Sequence, residues 1–147
     1  MKVYGNVLEM VGRTPMLRVR KLDTGSCELY LKLELMNPAG SIKDRIGVTM
    51  IEEAERRGDL KPGGLVVEST AGNTGIGLAV VASARGYRTL ILITETQSQE
   101  KKDTLRLCGA ELIDVPALPY ANPNNSQHVG RRLAEQLRRT EPNGVLF

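Results

Sequence analysis

One lysine of this chain stands where its own charge is disfavoured. Lys43 lies in the run Asn37-Pro38-Ala39-Gly40-Ser41-Ile42-Lys43-Asp44-Arg45, and the residues around it predict the first turn of a helix. Upstream, residues 27–35 alternate apolar and polar with period two, the signature of a half-buried strand. Asn37, Pro38 and Gly40 break that strand. Ser41 sits where an N-cap belongs, and Asp44, three residues on, can answer it in a capping box. Ile42, Ile46, Met50 and Ala54 then recur every four residues, as on one helical face. A cation in a first turn meets unpaired N–H groups and the positive end of the helix dipole. That field favours the neutral amine. An amine neutral near pH 7 is a nucleophile, and its usual use is a Schiff base with a carbonyl. A lysine at this position reads equally well as a solvated surface charge, so the chemistry depends on what the rest of the chain supplies.

A second motif supplies it. Residues 65–68 are a short apolar run that leads into Ser69-Thr70-Ala71-Gly72-Asn73-Thr74-Gly75-Ile76-Gly77. This is a strand, a small polar loop and a helix start. Backbone N–H groups there can hold an anion, and glycine lets a ligand approach the backbone. The hydroxyls of Ser69, Thr70 and Thr74 add donors, and Asn73 can donate and accept. The spacing matches neither the dinucleotide fingerprint nor the P-loop. Taken alone, the motif also fits a glycine-rich turn that serves only helix–sheet packing. In a parallel α/β sheet, however, loops after the carboxyl ends of strands share one edge. The loop before Lys43 and the loop at Thr70–Thr74 both follow strands, so amine and anion pocket face one cavity. That pair suits an aldehyde cofactor bound to lysine, with an amino-acid carboxylate held nearby.

The elements that must carry these motifs alternate along the chain. After the helix that begins at Ser41 come a strand at 65–68, a buried helix at 75–85 ended by Gly86, a strand at 89–94, a helix from Ser98 with Leu105 and Cys108 inward, and a strand at 111–115. A proline- and asparagine-rich loop spans 116–125, and a last helix covers about 127–139 with Val129, Leu133 and Leu137 on one face. Residues 145–147 read as the start of a core strand. Alternation of this kind implies parallel pairing with right-handed crossovers, and near-continuous apolar strands suit a sheet covered on both faces. The fold class is therefore α/β, a three-layer parallel sheet with helices on both faces.

Composition narrows the function. The 147 residues are enough for one domain, and at 41% hydrophobic they can bury a core. Aromatic residues make up 3%, too few for the stacking platforms of a single-strand nucleic-acid binder. The net charge of +3 comes from mixed charges with no basic block, and Arg131, Arg132, Arg138 and Arg139 read as one solvated helix face. His128 is the only histidine, so neither a metal site nor a Ser-His-Asp triad is expected. Cys27 and Cys108 lack Cys-x-x-Cys partners and read as reduced, semi-buried thiols of a cytoplasmic protein. No segment is long and apolar enough for a membrane span.

Together, the lysine and asparagine motifs resemble those of the cysteine synthase and cystathionine β-synthase family, pyridoxal-phosphate enzymes of the tryptophan-synthase-β fold type (fold type II). Val11-Gly12-Arg13-Thr14-Pro15-Met16, Gly58-Asp59-Leu60-Lys61-Pro62-Gly63 and Glu95-Thr96-Gln97-Ser98-Gln99-Glu100-Lys101-Lys102 support the likeness, which covers the whole chain. The resemblance implies that Lys43 is the catalytic lysine, which carries pyridoxal 5'-phosphate and later moves the α-proton. It implies that Asn73 hydrogen-bonds the cofactor's ring oxygen, and that Thr70, Ala71, Gly72, Asn73 and Thr74 bind the substrate carboxylate. The implied reaction is β-replacement: an activated, O-acetylserine-like serine loses its β-group, and sulfide or homocysteine adds.

Two departures stand out. Many cysteine synthases have proline where this chain has Ser69 and serine where it has Ala71, and the alanine form is similar to many bacterial cystathionine β-synthase-like members. In the family, the phosphate-binding glycine loop, the partner of the pyridine nitrogen and a glutamine of the carboxylate site follow the point where this chain ends. The expectation is thus an N-terminal, lysine-bearing domain over residues 1–147. Residues of about 13–35 would pack on a second domain absent from the chain, these residues alone would catalyse little, and the full protein would be a homodimer. Neither nucleic acid nor membrane is expected as a partner. The rivals are a serine or threonine dehydratase of the same class, a non-catalytic binding remnant, and a nucleotide-binding module, which the glycine spacing disfavours.

Overall fold

The computed structural model describes residues 2–70 and 72–147. Its centre is a four-stranded parallel sheet in the order β5-β4-β3-β6, with β3 Leu65–Ser69, β4 Arg88–Thr94, β5 Ala110–Val115 and β6 Val145–Leu146. A separate antiparallel pair joins β1 Met16–Arg18 to β2 Tyr30–Lys32. The helices are α1 Lys43–Arg57, α2 Asn73–Ala84, α3 Gln99–Leu107 and α4 Ser126–Leu137. The three-layer α/β expectation holds. Ile51 and Ala54 of α1 and Leu78, Val81 and Ala82 of α2 pack with Val66 and Leu146 on one face. Leu105 of α3 joins Ala79, Ile91 and Ile93 on that same side. On the opposite face Ala134 of α4 packs with Leu65, Val67, Leu92 and Val145.

Three expectations need correction. The strand expected over 27–35 is reduced to Tyr30–Lys32, and all three residues are exposed, as are Cys27 and Leu35. Its period-two pattern is real, but neither face of the two-stranded sheet is covered in this structure. The apolar face of α1 is also not the one expected. Ile42 and Ile46 are 51% and 37% exposed, whereas Asp44, Gly47, Ile51 and Ala54 are buried. A strict four-residue repeat advances 400° and so drifts around a helix of 3.6 residues per turn, while spacings that alternate three and four stay on one face. Finally, the capping box does not form, and the N-cap of α1 is Ile42. Ser41 Oγ accepts the Lys43 N–H at 3.1 Å, but Asp44 Oδ2 accepts from the Ala39 N–H at 2.6 Å, not from Ser41.

Glycine explains why α1 and α2 lie so close. A Cβ on Gly77 of α2 would lie 2.8 Å from both C and O of Lys43 and 3.0 Å from the Asp44 nitrogen. A Cβ on Gly47 of α1 would lie 2.9 Å from the Gly77 carbonyl oxygen. The two helices therefore touch backbone to backbone, and only residues without side chains permit that. Gly77→Ala should lower stability by about 1–3 kcal/mol through forced separation, although alanine is the better helix former by about 1 kcal/mol. Urea unfolding midpoints of the variant and the parent check this; an unchanged or raised midpoint contradicts the contact.

Candidate active site

The two motifs singled out in the sequence meet at that contact. Lys43 opens α1 and is partly buried, and its backbone rests on Gly77, one turn after the start of α2. Among the described residues its ammonium makes no hydrogen bond or ion pair. Asn73 is the first residue of α2 and is exposed; Thr74 and Gly72 are partly covered. Gly72 precedes the helix with φ −155° and ψ −151°, and no side chain caps the end. A Cβ on Gly72 would meet nothing within 4 Å, so open space stands in front of the loop. Thr70 Oγ1 accepts the Gly72 N–H at 3.3 Å, which leaves the hydroxyl proton free to be donated. Ala71, expected in the same grip, lies outside the described residues.

Ser69 does not join this group. Residues alternate across β3, so Ser69 shares the α4 face with Leu92, its partner in β4. Its Cβ lies 3.3 Å from where a Cβ of Gly130 in α4 would stand. Thr70, the next residue, turns to α2 instead, with Cγ2 2.6 Å from where a Gly75 Cβ would be. Ser69 lines a different cleft of about 270 Å³ at the carboxyl end of β3, with Tyr120, His128 and Arg131. His128 belongs to the packing there: its Nε2 lies 2.8 Å from the Tyr120 carbonyl oxygen and its ring lies 4.6 Å from the tyrosine ring. Among the described residues no cluster of three metal-ligating side chains is present.

A polar network holds the segment that leads into Lys43. Arg45 Nε and Nη2 grip both carboxylate oxygens of Glu34, at 2.9 and 2.8 Å. The same Nη2 reaches the Gly12 carbonyl at 3.1 Å and Thr14 Oγ1 at 3.4 Å. Thr14 Oγ1 in turn donates to Glu34 at 2.8 Å. Asn37 Nδ2 donates to Glu34 Oε2 and to the Glu34 carbonyl, both at 2.9 Å, and Asn37 Oδ1 accepts the Gly12 N–H at 2.8 Å. Asn37 and Thr14 are buried, so these bonds satisfy groups that water cannot reach. Gly12 takes φ +80°, and a Cβ there would strike the Arg45 guanidinium at 2.6 Å. The hydrogen bonds from Arg45, then from Thr14, outweigh burial and hold the Glu34 carboxyl at about 2, well below 4.5. Sequence reading assigned Arg45, Glu34, Asn37 and Thr14 no role. The network joins three segments far apart in the chain, and no periodicity signals such a meeting. The one available signal was a set of polar residues inside quoted motifs with nothing nearby to pair with.

The chain matches the profile of the family described as pyridoxal-phosphate dependent enzyme over residues 7–147. Cysteine synthase 1 of Neurospora crassa is 53% identical over 129 residues, which cover 86% of this chain and 34% of that protein. The cystathionine beta-synthase of Mus musculus is 45% identical over 140 residues, 92% of this chain and 25% of that protein. Among solved structures, O-ureido-L-serine synthase matches with a TM-score of 0.85 at 36% identity, covering 92% of this chain and 42% of that one. The chain thus spans about a third or less of the length of the two curated relatives.

The network carries a pH signature. A carboxyl whose pKa falls on folding stabilises the fold above its unfolded value and loses that contribution as pH drops toward the folded one. For Glu34 the window runs from about 4.5 down to about 2. Its partner Arg45 is 39% exposed, so solvent screening keeps the effect modest. Glu34→Gln should be less stable than the parent at neutral pH, and the gap should close as pH falls through that window. Denaturation midpoints at a series of pH values test this; a gap independent of pH sinks the assignment.

Proposed function

Because the chain belongs to the pyridoxal-phosphate dependent enzymes, we propose that it supplies the lysine-bearing domain of a catalyst for β-replacement. The reaction would form cysteine or cystathionine from an activated serine, such as O-acetylserine, and sulfide or homocysteine. The observation that carries this reading is the seat of Lys43, in backbone contact with α2 one turn from its uncapped, open end.

These residues fit one side of the cofactor. An amine without a partner among the described residues, an uncapped helix start and free space before Gly72 meet the needs of an aldehyde-bearing, anionic ring system. Pyridoxal 5'-phosphate, when bound, supplies the electron sink for the substrate's α-carbon. The protein's own residues do the rest. Lys43 Nζ would hold the cofactor's aldehyde carbon and move the α-proton, and the Asn73 amide would donate to the ring oxygen. Thr70, Ala71, Gly72, Asn73 and Thr74 take the substrate carboxylate, through the free hydroxyl proton of Thr70 and the unpaired amides at the start of α2.

The same proposal accounts for an apolar surface. Met16, Leu17, Tyr30, Leu31, Leu35 and Met36 are all at least 44% exposed on and beside the β1–β2 pair. Leu17 and Leu31 pair across one face of the ribbon, and so many exposed apolar side chains in one short segment suit an interface better than solvent. We take residues of about 13–35 as the surface that packs on a second domain, within a homodimer. Free cysteines at 27 and 108 support a cytoplasmic setting. Among the described residues no helix is long and apolar enough to cross a membrane.

On addition of pyridoxal 5'-phosphate, an absorbance band at the edge of the visible should develop and be lost in Lys43→Ala. Borohydride reduction followed by peptide mapping should place the label on Lys43 above the other lysines. Label spread evenly among lysines, or concentrated on another one, overturns the reading.

A further inference from the structure

Asp44 is the only fully buried charged residue among those described, and it follows Lys43 directly. Its Oδ2 holds the Ala39 N–H at 2.6 Å, while Oδ1 is buried with no hydrogen-bond partner among the described residues. Ala39 lies in the turn closed by the Gly40 N–H on the Asn37 carbonyl at 2.8 Å, with Gly40 at φ +80°. The loop before Lys43 is thus pinned twice, at Asn37 by Glu34 and Gly12 and at Ala39 by Asp44. From there Ser41 Oγ takes the Lys43 N–H and closes the chain of bonds at the lysine itself.

Stability alone does not explain an aspartate in this position. Burying a carboxylate costs several kcal/mol that one main-chain partner and a helix dipole only partly offset, and an apolar residue of similar size would cost less. Burial also pushes the Asp44 carboxyl above its ordinary range, the mark of an incompletely compensated charge. What a buried acceptor gives in return is selection of one loop conformation over others.

We propose that Asp44 is a positioning residue for Lys43: by holding the Ala39 amide it fixes the loop ahead of the lysine, and with it the direction of the lysine's amine. The inference rests on the reading of Lys43 as the cofactor-bearing amine. It goes beyond that reading by assigning the lysine's alignment to a side chain that touches neither cofactor nor substrate.

Two variants separate the roles. Asp44→Asn keeps an oxygen acceptor for the Ala39 amide without the charge; Asp44→Ala removes the acceptor. Hydrogen exchange of the Ala39 amide is read by mass spectrometry on cofactor-free protein, and borohydride-trapped pyridoxal phosphate on Lys43 is read by peptide mapping. Asp44→Ala should speed Ala39 exchange and slow the rate of label capture by Lys43 by about 10- to 100-fold, the cost of a displacement near 1 Å. Asp44→Asn should stay close to the parent in both. If Asp44→Ala exchanges faster yet captures label at the parental rate, the proposal is overturned. It is also overturned if Asp44→Asn falls as far as Asp44→Ala, since charge and not the held amide would then matter. Should Asp44→Ala fail to fold, parental exchange and capture in Asp44→Asn still support the role, and loss of either refutes it. Failure of the underlying reading looks different, because the parent itself then captures no label at Lys43.

Discussion

The structure depends on one approach of backbone to backbone. Where α1 crosses α2, Gly47 and Gly77 remove the side chains that would hold the helices apart, and the first residues of α1 settle on the second turn of α2. Two sequence motifs separated by most of α1, a loop and β3 are thereby brought side by side. Lys43 could occupy a first helical turn without this contact, but the uncapped start of α2 would then stand at an unrelated distance. The contact also sets the burial pattern. It draws Asp44 out of water and turns Ile42 and Ile46 outward.

Much of this could be read from residue types and spacing, for identifiable reasons. Strands β3 and β4 are nearly continuous apolar runs, and Gly86 and Gly109 both adopt positive φ just past the ends of α2 and α3. Such punctuation is local, so sequence reveals it. The proposed site residues Lys43, Asn73 and Thr70 each lie at the boundary of an element, where local sequence signals are strongest. Misreadings arose where the deciding partner lay outside the segment. The drift of the Ile42-Ile46-Met50-Ala54 repeat shows only against α2, which selects the Asp44-Gly47-Ile51-Ala54 stripe. Residues 27–35 alternate as a half-buried strand should, yet both strands of the β1–β2 pair are exposed. Ser69 looked equivalent to Thr70 in a hydroxyl-rich loop, but the pleat of β3 sends it to the opposite face.

The largest omission was the network around Glu34. Its members come from the segments at 12–14, 34–37 and 45, and each is unremarkable alone. Together they form a bidentate, charge-assisted grip, the strongest kind of hydrogen bonding available to side chains. Partial exposure of the arginine limits what the pair adds to stability. Its value is geometric. It ties the N-terminal arm, the end of the β2 segment and the first turn of α1 into one unit.

That connection matters for how a lysine can be presented. The apolar side chains on and beside β1 and β2 are exposed, and anything packed on them would be linked to α1 only through polar bonds. The grip of Arg45 on Gly12, Thr14 and Glu34 is such a link, because the same segments that carry Met16 and Leu35 also carry its acceptors. A partner that packs on the apolar surface would therefore press on the loop that Asp44 holds from the other side. The two side chains that follow Lys43 thus reach back to different parts of the preceding chain, Asp44 to Ala39 and Arg45 to Gly12, Thr14 and Glu34.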